Sequence, residues 1–95
     1  MDQNKIALIT GAGRGLGAAV SEYMYSHGIR VILVDNNKID LKKFSPKNEN
    51  IHSYQVDVSK RVEVKEMFSS AFKRFKQIDY LINFAGINRD APFIE

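Results

Sequence analysis

Residues 10–17 read Thr10-Gly11-Ala12-Gly13-Arg14-Gly15-Leu16-Gly17, and nothing else in the chain restricts its fold as much. Glycines at alternate positions permit a tight turn and a close approach of main chain that no side chain would allow. Before this loop, residues 5–9 form a short apolar run that reads as a buried strand. After it, Leu16, Ala19, Val20, Tyr23 and Met24 recur at helical spacing, which predicts a helix burying that face, with Gly28 as the residue just past its end. Strand, glycine turn and helix in immediate succession bring the partnerless amides of the helix start to the mouth of the turn.

The remaining residues repeat the alternation. Residues 29–34 are apolar and β-branched apart from Arg30, and read as a second strand ending at Asp35. Asn36 or Asn37 could cap a short helix over residues 39–44, followed by a turn-rich link containing Ser45, Pro46, Asn48 and Asn50. Residues 51–56 are compatible with a third strand, and Ser59 can cap a helix whose inward face is Val64, Phe68, Ala71, Phe72 and Phe75. Lys60, Arg61, Lys65, Lys73 and Arg74 remain for water. Residues 80–84 form a fourth strand, ended by Ala85-Gly86 before an irregular tail. Four strands alternating with three helices imply an α/β fold with a parallel sheet and right-handed crossovers, ordered 3-2-1-4 if it binds a dinucleotide.

Composition removes several classes of function. The 95 residues allow one domain or part of one, and 44% hydrophobic with 26% charged residues is ordinary for a chain that folds around a core. A net charge of +3 is too small for a nucleic-acid footprint unless the positives cluster. The densest basic run, Lys38, Lys42, Lys43 and Lys47, has only Phe44 as an aromatic, so no nucleic-acid partner is expected. There is no cysteine, and His27 and His52 stand apart, so no metal site is expected. The apolar runs are too short to span a bilayer and residues 1–5 do not read as a secretory leader, so no membrane partner and a cytoplasmic setting are expected.

The loop can bind a diphosphate without a lysine, because the helix start offers free N–H groups and the positive end of its dipole. Asp35 lies 18 residues beyond Gly17, near the separation of about 20 at which an acid reaches the adenosine ribose. Its carboxylate can accept from both ribose hydroxyls and would repel a 2′-phosphate, which favours NAD over NADP. Arg14 argues the other way, since a guanidinium beside the loop could pair with that phosphate. No Gly-Lys-Ser/Thr ending supports a nucleotide triphosphate loop. Residues 11–15 also spell the G-x-G-x-G of S-adenosylmethionine binders, and Asp35 and Asp57 would suit that class.

Thr10, Gly11, Gly15 and Gly17 match T-G-x-x-x-G-x-G, Asp57-Val58 and Asn83-Phe84-Ala85-Gly86 follow in register, and over residues 5–90 the chain resembles the short-chain dehydrogenase/reductase family. The resemblance implies a Rossmann-like sheet, with residues 1–95 as the N-terminal half of one nucleotide-binding domain and the remainder absent. It implies that Leu16 and its neighbours give amides to the pyrophosphate, that Asp57 and Val58 flank the adenine, and that Asn83, Ala85 and Gly86 line the ribose side. Phe84 departs from the family's second Asn. Ile9 stands where many methyltransferases place an acid, which weighs against that alternative.

The family transfers hydride between a nicotinamide cofactor and an alcohol or carbonyl substrate, using a Ser and a Tyr-x-x-x-Lys pair. Here the residues four beyond Tyr23, Tyr25, Tyr54 and Tyr80 are His27, Ile29, Val58 and Phe84, so no catalytic residue is assigned. The resemblance thus implies an oxidoreductase that is a homo-oligomer at full length and takes a small-molecule substrate, with residues 1–95 inactive alone. Residues 86–90 are similar to the stretch after the N-A-G motif in 3-oxoacyl- and 3-hydroxyacyl-thioester enzymes, which suggests such a substrate. The other class left open is a non-catalytic dinucleotide-binding module.

Overall fold

The computed structural model describes residues 5–43 and 51–85. Its elements are β1 (Ile6–Thr10), α1 (Gly15–Ser26), β2 (Arg30–Asp35), a single 3-10 turn (Leu41–Lys43), β3 (Ile51–Gln55), α2 (Arg61–Phe75) and β4 (Tyr80–Asn83). All strand pairs are parallel, in the order β3-β2-β1-β4, as the alternation predicted. Strand boundaries fall within one residue of the expected ones.

The inner strands explain why their sequences are apolar without alternation. β1 and residues 31–34 of β2 are buried on both faces, as central strands of a covered parallel sheet must be. One face gathers Ala7, Ile9, Val31 and Leu33 with Met24 and Tyr25 of α1; the other gathers Ile6, Leu8, Ile32 and Val34 with Met67 and Ala71 of α2. Each fully buried aliphatic side chain contributes about 1.5–3 kcal/mol relative to exposure, so these two strands carry most of the core. Among the described residues β3 and β4 are the edge strands, and β4 leaves Leu81 61% exposed.

Four local expectations are corrected. In α1 the buried residues are Gly17, Ala18 and Ser21, while Leu16, Ala19 and Tyr23 are exposed. Over its first two turns only the small residues Gly17, Ala18 and Ser21 are buried, and larger side chains, Met24 and Tyr25, pack on the core only near its end, which rotates the inward face from the one that hydropathy marks. Ser21 is tolerated there because its hydroxyl donates to the Gly17 carbonyl at 2.7 Å. Gly28 does follow the helix end: the amides of Gly28 and Ile29 bond to the carbonyls of Tyr25 and Met24, both at 3.1 Å, closing the helix in a Schellman motif.

The helix expected over residues 39–44 is only the 3-10 turn, with Phe44 outside the described residues. Asn37 gives its amide to Asp35, and Asp40 takes the Lys42 amide, so the segment is organised by side-chain turns, while half-buried Ile39 and Leu41 pack on the core. Ser59 does not cap α2: Lys60 is the cap residue and the Ser59 hydroxyl donates to Asp57. On α2 the fully buried residues are Met67 and Ala71, whereas Phe72 remains 49% exposed.

Candidate functional site

At the C-terminal edge of the sheet the glycine loop, the end of β2, the turn after β3 and the end of β4 enclose a cleft of about 400 Å3. The loop holds its shape through two close approaches. Gly11 has φ +66°, and a Cβ there would lie 2.8 Å from the Ala85 nitrogen. At Gly17 a Cβ would lie 2.0 Å from the Gly11 carbonyl oxygen, so the first turn of α1 rests directly on the loop. The Ala12 amide then bonds to the Val34 carbonyl at 3.2 Å, fastening the loop to β2.

This packing leaves the helix start bare toward the cleft. Arg14 is the cap residue of α1 and makes no side-chain capping bond, and the first turn contains no acid. The first amide of this turn with a main-chain partner is that of Ala18, 3.4 Å from the Arg14 carbonyl; those of Gly15, Leu16 and Gly17 have none among the described residues. Unpaired N–H groups at the positive end of a helix suit an anionic oxygen, and of these three residues Leu16 and Gly17 line the cleft.

Asp35 ends β2 half-buried at the other side of the opening. Its Oδ2 accepts the Gly13 amide at 2.8 Å and its Oδ1 the Asn37 amide at 2.9 Å. Asp57 is the second acid on the cleft. Its pKa lies below the ordinary 3.8, chiefly because the Ser59 hydroxyl donates to it, then because the Ser59 amide does. The Asp57 amide in turn donates to Glu63 of α2 at 3.0 Å.

Of the candidate residues, Gly11, Arg14, Leu16, Gly17, Asp35, Asp57, Val58 and Ala85 line this one cleft. Gly15 opens α1 and faces open space, and does not line it. Asn83 is also off the lining: its Oδ1 accepts from the Thr10 hydroxyl and from the Ala85 amide, which ties the end of β4 to the end of β1. Gly86 lies outside the described residues.

Sequence reasoning passed over Asn36, Asn37, Val56, Ser59 and Phe84, which share the lining. The two Asn directly follow the strand-end acid, which is a usable signal, whereas a serine just ahead of a helix reads from sequence as its cap. Thr10 entered only as part of the signature, although its buried hydroxyl makes the clamp to Asn83. Among the described residues no group of three potential ligands could hold a metal, and no helix is long and apolar enough to cross a membrane.

The family model described as short chain dehydrogenase matches residues 5–95. The chain belongs to the short-chain dehydrogenase family. The match removes the ground for the methyl-donor alternative. A curated relative, the diacetyl reductase [(S)-acetoin forming] of Staphylococcus epidermidis, is 35% identical over 97% of this chain and 37% of its own length. This family member therefore spans little more than a third of that relative.

Solved family structures superpose closely. A short-chain dehydrogenase of Leptospira borgpetersenii with bound NAD+ is 35% identical with a TM-score of 0.77, covering 94% of this chain and 34% of its own. A variant of ElxO with NADPH bound is 32% identical with the same TM-score of 0.77, covering 92% of this chain and 37% of its own.

Proposed function

We propose that this short-chain dehydrogenase chain supplies the dinucleotide-binding portion of an NAD(P)-dependent oxidoreductase, acting between a nicotinamide cofactor and a small alcohol or carbonyl substrate. The observation that carries the reading is one cleft lined both by the bare start of α1 and by Asp35. Residues 1–95 are then the N-terminal half of a single Rossmann-type domain.

The fit to the cofactor rests on the chain's own groups. The amides of Leu16 and Gly17 would hold the pyrophosphate, since they line the cleft, are paired with nothing in the described residues and sit at the positive helix end. Asp35 would accept from the adenosine ribose with lone pairs left over from Gly13 and Asn37. Asp57 and Val58 would flank the adenine, and Ala85 and Gly86 the ribose side, with Asn83 holding Ala85 in place. When bound, the nicotinamide gives or takes a hydride.

NAD is favoured because an anionic carboxylate at the ribose opposes a 2′-phosphate in a partly enclosed cleft. Arg14, exposed at the same opening, is the group that would reduce that preference. No Tyr in these residues is followed four positions on by Lys, so they would bind and orient the cofactor and leave acid–base chemistry to other residues.

Calorimetric titration with NAD+, NADP+ and S-adenosylmethionine tests the reading. Saturable NAD+ binding, weaker NADP+ binding and no S-adenosylmethionine binding are expected. Binding of S-adenosylmethionine alone, or of no dinucleotide, overturns it. For the substrate, nicotinamide absorbance followed with the full-length protein over a panel of carbonyl compounds, 3-oxoacyl thioesters among them, is the corresponding assay.

A further inference from the structure

We propose that Gly13 is a positioning residue: through its amide and its missing Cβ it sets the orientation of the Asp35 carboxylate, and thereby the preference for a dinucleotide with a free ribose 2′-hydroxyl. The inference rests on the dinucleotide reading of the cleft and adds a determinant of cofactor choice outside the residues assigned above.

The carboxylate is held by two main-chain donors from different segments, Gly13 in the loop at 2.8 Å and Asn37 beyond β2 at 2.9 Å. Each oxygen is taken once, so the plane of the group is fixed. An ionised carboxylate has about four lone-pair sites, which leaves about two for ribose hydroxyls. Charge-assisted bonds of this kind are short and directional, so a turn of the carboxylate would misalign it with an incoming sugar.

Gly13 is not among the residues with positive φ, so its backbone would accept an L side chain. Space is what forbids one. A Cβ at residue 13 would lie 2.8 Å from Oδ2 and 3.0 Å from Cγ of Asp35, both below ordinary contact. The obstacle is a rotatable side chain rather than backbone, so Gly13→Ala relieves the clash by displacing the carboxylate and leaves the loop standing. The displaced group no longer meets the ribose squarely, nor does it oppose a 2′-phosphate as directly.

The test is calorimetry of NAD+ and NADP+ on the full chain for wild type, Gly13→Ala, Asp35→Ala and the double variant. Gly13→Ala is expected to weaken NAD+ by about tenfold and NADP+ by no more than about twofold. In the Asp35→Ala background the same change should add nothing, because the two residues act as one unit. Equal losses for both dinucleotides, an unchanged ratio, or additive effects overturn the inference while leaving the dinucleotide reading intact. A wild type that binds neither dinucleotide overturns both.

Hydrogen exchange gives a second measurement that does not require Gly13→Ala to fold. In Asp35→Ala the Gly13 amide should exchange about tenfold faster, while the Ala12 amide, bonded to Val34, keeps its rate. Unchanged Gly13 exchange overturns the inference.

Discussion

The two α-helices among the described residues both begin at the edge of the sheet where the cleft lies, and their first turns differ in charge. α1 starts on glycines, with no acid in its first turn and no side-chain cap. α2 carries Glu63 in its first turn, reaching back to the Asp57 amide, while Ser59 and Asp57 close a small network just ahead of it. A helix start gains about 0.3–1 kcal/mol from a neighbouring negative charge, so leaving α1 without one forgoes stability. Neither helix start has a side-chain cap, so the difference is one of charge: the end without an acid stays open to an external anion, while the acid at the other end serves the fold.

Three changes would break or sharpen this contrast. The largest effect belongs to Gly17→Val, which drives side-chain carbons into the Gly11 carbonyl, a backbone atom unable to move aside. A loss of about 3 kcal/mol or more in urea unfolding is expected, at the upper end for overpacking. A loss below about 1 kcal/mol would show that α1 does not rest on the loop as closely as described.

Next comes Leu16→Glu, which gives α1 the acid that α2 already has. Leu16 is 63% exposed and lines the cleft, so the substitution costs little packing. Stability should hold or rise by about 0.3–1 kcal/mol, while dinucleotide affinity falls by about tenfold through repulsion of the pyrophosphate. Unaltered affinity would place the diphosphate elsewhere.

The smallest effect is at the start of α2. Asp57 has a folded pKa below its ordinary 3.8, mainly through the Ser59 hydroxyl. Its contribution is therefore complete above the unfolded value and is lost as pH falls through the folded one. Unfolding followed from about pH 5 to pH 2 should show stability decreasing with acid, and Asp57→Asn should flatten part of that slope. Asp79, lowered mainly by the Ile6 amide and then by Gln77, acts in the same direction at the opposite edge of the sheet, so the slope should persist in reduced form.

Much of the architecture was legible. Residues 29–34 are apolar at nearly every position, which only a strand buried on both faces requires, and β2 is such a strand. The glycines of residues 11–17 marked the strand-to-helix turn, and Asp35 the end of the neighbouring strand. The inward face of α1 was not legible, since Leu16 and Tyr23 outrank Gly17 and Ser21 on any hydropathy pattern and yet are exposed. Nor was the part played by Ser59, because a serine before a helix can cap it or serve a neighbouring acid with equal chemical sense.

Local sequence thus determined the order of elements, the parallel sheet and the place of the loop, because periodicity, glycine and strand-end acids act over a few neighbouring residues. Tertiary structure alone decided how near α1 approaches β1, which oxygens of Asp35 are engaged and by which amides, and that Thr10 clamps Asn83. Those outcomes depend on distances between segments as much as 73 residues apart in the chain, and a one-dimensional pattern carries no measure of such distances.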